Sequence, residues 1–366
     1  MRALSSLHIN LAFLSENLQR IYQDVQGKKI IPMVKANAYG HGMEEISLHI
    51  QRHHQELIDG FGVATLQEGI QLRRSLGKSI QDIYVFSELE FLRPDSLEMY
   101  TQYSLIPVLS SLAQLDIFLT KSAFFKHVPM VLKFDTGMKR LGFEALEMDD
   151  LLKRLKLSGR KSIAHCMTHL ACSDDKDHPL NHIQIEQFKE CLKCLQTSGF
   201  SIEKTSIANS GAITNHLDSF CSHVRPGIRL YAKEGAGRII SSLETEVMAI
   251  KELKANSYFG YSANVKEQDG YLAMIPLGYA DGLPLAVKGF SFLLDGNIQV
   301  EASGRTNMDI LYLWSRSKLP WKVGSRLALW SDAQNNLNPL AKHIGAHVYQ
   351  VLTGISYRIP RRYHSK

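Results

Sequence analysis

Eight short apolar runs, separated by stretches of helical periodicity, constrain the first two-thirds of this chain more than any other feature. They are Ile30–Val34, Phe61–Ala64, Ile83–Phe86, Leu105–Val108, Val128–Phe134, Ile163–Thr168, Thr205–Ala208 and Val224–Ile228. Parallel strands cannot be joined by tight turns; each pair needs a crossover, usually a helix. Eight strands with interposed helices therefore predict an α/β fold, an N-terminal (β/α)8 TIM-like barrel. Thr65-Leu66-Gln67-Glu68 is a capping-box pattern that opens one of these helices, and Gly77 closes it. Beyond about residue 235 the texture changes to strand-like runs with turn signals, as in "YLAMIPLGYADG", "FLLDGNIQVEASG" and "SRLALWSD". Asp295-Gly296-Asn297 has the composition of a hairpin turn. The expected organisation is a barrel over 1–235 followed by a mainly β C-terminal domain over 236–366.

Length and charge narrow the function classes. The chain has 366 residues, which suits a barrel of roughly 250 residues plus a smaller domain. Its net charge of +6, 42 basic against 36 acidic residues, is spread along the sequence, and only the tail "RIPRRYHSK" is locally basic. That pattern argues against nucleic acid as the main partner and favours small anionic ligands. No apolar stretch is long enough for a membrane span, and "MRALSSLHINLAFLSENLQR" is too interrupted for a signal peptide. A cytoplasmic location is expected. The five cysteines are an odd count, which fits reduced thiols. Cys191 and Cys194 lie within the helical pattern "QIEQFKECLKCLQ" and read as helix positions.

Barrel chemistry sits just past the C-terminal ends of the strands. Those positions hold Lys35 and Tyr39, Lys133, Asp135 and Arg140, His169, Asn209 and Ser210, and Arg225 with Gly227. Lys35 ends an apolar run in "IPMVKANAYGHG"; it is either a solvated strand end or an amine placed for chemistry. Ser210-Gly211 is either an ordinary connector or a phosphate cradle made of amides and a hydroxyl. Its place after the seventh strand favours phosphate, because barrels often bind phosphate in the last two loops. A lysine together with a phosphate site suggests pyridoxal phosphate.

The strings "VKANAYGHG", "KFDTGMKRLGF", "THLA", "IANSGA", "VRPGI", "IPLGYADG", "SGRTNMD" and "ISYRIPR" follow in an order that resembles the alanine racemases over nearly the whole chain. The resemblance implies a fold-type III pyridoxal 5'-phosphate enzyme that works as a homodimer with composite sites on a small amino-acid substrate, with no nucleic-acid or membrane partner. It implies that Lys35 carries the cofactor and is one catalytic base, with Tyr261 as the other. Tyr39, Ser210, Gly227, Ile228 and Tyr357 match the family's phosphate positions, Asn209 belongs to the same cofactor-binding loop motif without a separate role, and Arg225 matches the arginine placed against the pyridine nitrogen. Arginine keeps its proton at physiological pH, so that nitrogen stays unprotonated. Arg140 and His169 are similar to residues that tune the proton network, and His169 reads equally as a core histidine at a strand end. Arg140, Met308 and Tyr279 match substrate-pocket positions.

Two departures stand out. The family's second-base string appears here as "YFGYSANV", which selects Tyr261 and leaves Tyr258 as a competitor. Asn307 stands where the family usually has cysteine, at the substrate pocket's edge. The resemblance thus implies interconversion of L- and D-alanine, supplying D-alanine for peptidoglycan. A broader-specificity amino-acid racemase and a non-catalytic pyridoxal-phosphate-binding protein are the rivals. The roughly 130 residues after the barrel argue against the non-catalytic reading, and Arg225 argues against a decarboxylase. Lys133 matches a lysine that some members carry as a carbamate.

Overall fold

The structure, a computed structural model, describes residues 3–77, 81–86, 88–217, 221–233 and 237–365. Its described residues form two compact units, one drawn from Met1–Leu14, Tyr39–Gly42 and Tyr231–Lys366, the other from Ser15–Ala38 and Met43–Leu230. The domain boundary expected at 235/236 falls at residues 234–236, outside the described residues. The first strand, β1 (Ser5–Asn10), belongs to the unit that holds the C-terminal segment.

The other unit is the barrel. Its strands are β2 (Lys29–Ile30), β3 (Gly60–Val63), β4 (Asp82–Val85), β5 (Ile106–Leu109), β6 (Val131–Lys133), β7 (Ser162–Met167), β8 (Ser201–Ser206) and β9 (His223–Val224). All pair in parallel, in the order β2-β9-β8-β7-β6-β5-β4-β3. Parallel bridges Ile30↔Ile58 and Met33↔Gly62 link the two ends, so the eight-stranded sheet comes nearly to closure. Ile31, Tyr84, Ile106, Val108, Val131 and Met167 pack together as one buried cluster with Phe86 against it. Burial of each such side chain contributes roughly 1.5–3 kcal/mol.

The expected capping box is present: the Thr65 hydroxyl accepts the Glu68 amide and Glu68 accepts the Thr65 amide, opening helix Leu66–Leu76, with Gly77 at its end. Helix Pro179–Thr197 carries Cys191 and Cys194 as free thiols. Four strand expectations shift by more than one residue. The run Ile30–Val34 is strand only through Ile30, with one further bridge at Met33, so Lys35 stands beyond the strand on a turn. The run Val128–Phe134 is strand only over Val131–Lys133. The run Val224–Ile228 is regular strand only through Val224; the Arg225 amide still donates to Ala208 O and Pro226 O still accepts the Met33 amide, and Ile228 then opens a 3-10 turn, Ile228–Leu230. Pro226 has no N–H to give the ladder. The seventh run begins earlier than its apolar core, at Ser201, because β8 pairs with β7 from Ser162↔Ser201 onward through residues that stay largely half-exposed or exposed.

The β-rich unit adds β10 (Ser241–Glu246), β11 (Ala249–Leu253), β12 (Gly270–Ile275), β13 (Ser291–Leu294), β14 (Ile298–Ser303), β15 (Leu311–Ser315), β16 (Arg326–Trp330) and β17 (Arg361–His364). They form a four-stranded sheet, β16-β10-β1-β17, and a five-stranded antiparallel sheet, β11-β12-β15-β14-β13. The Asp295-Gly296 turn joins β13 to β14, with φ of 44° and 87° at the two residues. Trp330, Phe292 and Leu313 are fully buried. Among the described residues no helix is long and apolar enough to cross a membrane.

Candidate active site

Lys35 follows directly on the Val34 amide, which bonds Gly62 O at 2.9 Å across the closing edge of the barrel. The chain then turns left-handed: Ala36, Asn37, Ala38 and Tyr39 all have φ between 50° and 55°. Each L-residue held there costs roughly 1–2 kcal/mol, so the segment persists only under constraint. Three bonds within the barrel unit hold it: Ala38 N to Val34 O at 2.8 Å, Met43 N to Asn37 Oδ1 at 2.8 Å, and Ala36 N to Glu68 Oε1 at 2.7 Å. Desolvation among the surrounding loops and then the charge of Arg140 lower the Lys35 pKa, and Glu68 opposes them. A lysine amine with a lowered pKa is a better nucleophile and base near neutrality.

Four more groups share this field. Lys133, at the end of β6, is pushed down to about 8 by desolvation, then Arg140 and Arg225, with Asp135 opposing. His169 is held well below its usual value by desolvation, then by Arg225, Arg140, Lys133 and Lys35; it is neutral at pH 7. Arg140 sits on a loop pinned by Asp135, whose carboxylate accepts the amides of Gly137 at 2.9 Å, Lys139 at 3.1 Å and Arg140 at 2.6 Å. The cations outnumber nearby carboxylates, so the mouth is built to hold an anion.

Arg225 is 5% exposed, and burial pushes it down to about 10, so it keeps its charge at neutral pH. Its Nη1 donates to Ser206 Oγ and its Nη2 to Thr168 O. Ser206 Oγ also bonds His165 Nε2 at 2.7 Å. His165 is fully buried, and that burial, with Arg225 next, holds it well below its usual pKa. A neutral His165 accepting the Ser206 hydrogen leaves the oxygen's lone pairs to the guanidinium.

Asn209 caps helix Ser210–Thr214, its Oδ1 accepting the Ala212 amide at 3.0 Å and the Ser173 hydroxyl at 2.6 Å, with Nδ2 3.4 Å from His169 Nε2. Ser210 Oγ accepts the amides of Gly227 at 3.0 Å and Arg229 at 3.2 Å. Both lone pairs are thereby engaged, and the hydroxyl hydrogen remains to be donated to an acceptor such as a phosphate oxygen. Gly211 is required by packing: a Cβ there would lie 2.8 Å from Ser173 Oγ and 2.9 Å from the Asp174 amide. The donors suit an anionic phosphate, and the amine of Lys35 suits an aldehyde.

Within the barrel unit the structure thus gathers Lys35, Lys133, Arg140, His169, Asn209, Ser210, Arg225 and Gly227, with Ile228 buried beside Gly227. The other expected residues lie in the β-rich unit. Tyr39 is buried there, its ring stacked 5.0 Å from Tyr231 and tilted 5.7 Å from Tyr349. Tyr279 and Ala280 donate their amides to Asn307 O and Met308 O, each at 3.1 Å. Arg358 bonds Asp309 at 2.7 Å and lies 3.5 Å from Asp281, which brings neighbouring Tyr357 to the same loop cluster. Tyr261 projects from the turn closed by mutual Phe259–Asn264 backbone bonds and is 66% exposed; Tyr258, its competitor, is 77% exposed.

Sequence reading missed Ser206, His165, Thr168 and Glu68 as supports of this site. The only sequence signal among them was the capping-box pattern, which marks Glu68 as a helix residue and says nothing of its bond to Ala36.

A barrel whose mouth pairs a pKa-lowered amine with an anion cradle, followed by a two-sheet β unit, defines an enzyme of amine chemistry on a small anionic ligand. Residues 9–234 match the family described as "Alanine racemase, N-terminal domain", and residues 240–363 match "Alanine racemase, C-terminal domain". The chain is 30% identical to the alanine racemase of Shewanella amazonensis over 98% of its own length and 99% of the relative's. It is also 30% identical to that of Rickettsia rickettsii over 99% of both. The structure of the Acinetobacter baumannii alanine racemase superposes with a TM-score of 0.85 at 27% identity, covering 100% of both chains. The Bartonella henselae alanine racemase with covalently bound pyridoxal phosphate superposes at 0.87 and 26% identity, covering 99% of this chain and 100% of that one. The chain belongs to the alanine racemase family and is an enzyme of the isomerase class.

Proposed function

We propose that this protein interconverts L- and D-alanine with pyridoxal phosphate held on Lys35, by a two-base mechanism, and supplies D-alanine for peptidoglycan in the cytoplasm. The carrying observation is the pKa-lowered Lys35 amine on the turn after β2, beside a cation-rich mouth and the Ser210 cradle. When bound, the cofactor supplies an electron-withdrawing ring that acidifies the substrate Cα–H. Ser210, Gly227, Ile228, Tyr39 and Tyr357 are assigned to its phosphate, and Asn209 to the same loop, whose helix it caps. Arg225 would donate to its ring nitrogen and, being unable to release its proton at working pH, would leave that nitrogen unprotonated. The site is then suited to prompt proton return and not to transamination.

Lys35 Nζ takes or returns the proton on one face. The Tyr261 hydroxyl, from the second chain of a head-to-tail homodimer, serves the other face. Arg140 and His169 are assigned to the same proton network. Met308 N–H and Arg140 are assigned to the substrate carboxylate, and Tyr279 to the pocket entrance.

A second reading, a broader-specificity amino-acid racemase, rests on Asn307: its Oδ1 is buried and has no hydrogen-bond partner among the described residues. A chiral assay of the purified protein against a panel of L-amino acids tests both. D-product from alanine alone supports the first reading, D-product from polar substrates at comparable rates supports the second, and no D-product from any amino acid overturns both.

A further inference from the structure

A helix capping box needs one carboxylate oxygen, the one that accepts the N-cap amide. At Glu68 that oxygen is Oε2, which takes the amides of Ala64 at 2.7 Å and Thr65 at 3.3 Å. The other oxygen, Oε1, is surplus to capping, and it takes the Ala36 amide at 2.7 Å. One half-buried side chain therefore ties three backbone donors from two segments: the end of β3 with its helix start, and the turn that follows Lys35.

The consequence for Lys35 is geometric. The Ala36 N–H lies in the same rigid peptide plane as the Lys35 carbonyl. The plane before Lys35 is held by the Ala38 N–Val34 O bond at 2.8 Å; fixing the Ala36 N–H against a carboxylate holds the plane after it as well, and the two planes together set the direction in which the Lys35 side chain leaves the backbone. The Ala36–Glu68 bond also restrains the first of four consecutive left-handed residues. Asparagine tolerates this conformation comparatively well, whereas alanine gains nothing from it, so Ala36 depends on an outside partner.

We infer that Glu68 is a positioning residue for Lys35: its Oε1 clamps the strained turn at Ala36 and aims the reactive amine. The inference rests on the role proposed above for Lys35. A helix-cap role alone would make Glu68 equivalent to Thr65, whose hydroxyl accepts the Glu68 amide at 3.2 Å and contributes to the cap without touching Ala36.

The test compares Glu68→Ala with Thr65→Ala. Both lose the cap and are expected to melt at lower temperature. In cofactor-free protein, hydrogen exchange across residues 34–39 is expected to speed up about ten-fold or more in Glu68→Ala, with wild-type rates in Thr65→Ala. In pyridoxal-phosphate-loaded protein, Glu68→Ala is expected to lose about ten-fold or more in kcat for alanine racemisation with KM changed less than about two-fold, because misaimed catalytic groups slow chemistry more than binding. Thr65→Ala is expected to keep kcat. If Glu68→Ala does not accumulate folded, Glu68→Gln carries the same comparison, since a carboxamide has one acceptor oxygen and cannot serve both segments. Equal exchange rates and equal kcat in the two variants would overturn the clamp. A borohydride label found away from Lys35 in the unmodified enzyme would overturn the proposed function, and the positioning role with it, whatever the exchange rates.

Discussion

Lys35, on the turn that follows β2, and Lys133, at the end of β6, are both lowered first by desolvation and then by Arg140, with Arg225 adding to Lys133. Their proposed roles differ, and chemistry separates them. Borohydride reduction of the cofactor-loaded protein is expected to leave a stable label on the Lys35 peptide alone, and Lys35→Ala is expected to lose both label and racemisation; a label on Lys133 would reverse the assignment. Lys133, with a pKa of about 8, is expected to react with an amine-acylating reagent with a midpoint near that pH, against about 10.4 for an ordinary lysine. Between those two values the unfolded chain binds more protons at this site than the folded one, so stability rises with pH across the window. Peptide mapping of acylation in the cofactor-free protein against pH checks this; a midpoint near 10 would mean that Lys133 is not desolvated. Neither lysine's environment could be read from neighbouring letters, because Arg140 reaches Lys35 and Arg225 reaches Lys133 through the fold.

At the scale of elements, the N-terminal ends of the barrel strands carry a second polar cluster. Asp59, before β3, accepts Lys204 Nζ of β8 at 2.6 Å and lies 3.3 Å from His223 Nε2 at the start of β9. Burial works to raise its pKa, but the hydrogen bonds and charges of His223 and Lys204 outweigh it and hold Asp59 at about 2. A carboxylate depressed in the folded state stabilises above its unfolded pKa, and that stability is lost as pH falls through the folded value. Asp59→Asn is therefore expected to destabilise by roughly 2 kcal/mol at pH 7, with the gap from wild type closing between about pH 4 and pH 2. Denaturant melts at several pH values check this; a constant gap would mean that the pairing adds nothing. The strands themselves were legible as apolar runs, to within a few residues. Their register was not, since it depends on partners such as Ser162↔Ser201 that are distant in sequence.

For the whole molecule, the proposed composite site makes a prediction that a single-chain site cannot. Lys35→Ala and Tyr261→Ala proteins are each expected to be nearly inactive. When they exchange subunits, one site of each mixed dimer lacks both bases and the other takes both from unmutated positions. With equal mixing about half the dimers are mixed, so about a quarter of wild-type activity is expected to return. Exchange confirmed by mass without recovered activity would place both bases on one chain, and a Tyr261→Ala protein that stays active would make Tyr258 the partner base.

The local pattern of the chain determined that there would be eight barrel strands, a helix capped by Thr65 and Glu68, and a hairpin at Asp295-Gly296, because propensity, capping and turn chemistry act within a few residues. The residue types at strand ends likewise placed Lys35, Ser210 and Arg225 at the barrel mouth. Tertiary structure alone decided that β1 would leave the barrel's sequence to pair antiparallel with β10 and parallel with β17. It also decided that Ser206 and His165 would support Arg225, and that Glu68 would reach the Ala36 amide 32 residues away. These are contacts between segments that only chain closure brings together, and no periodicity within either segment records them.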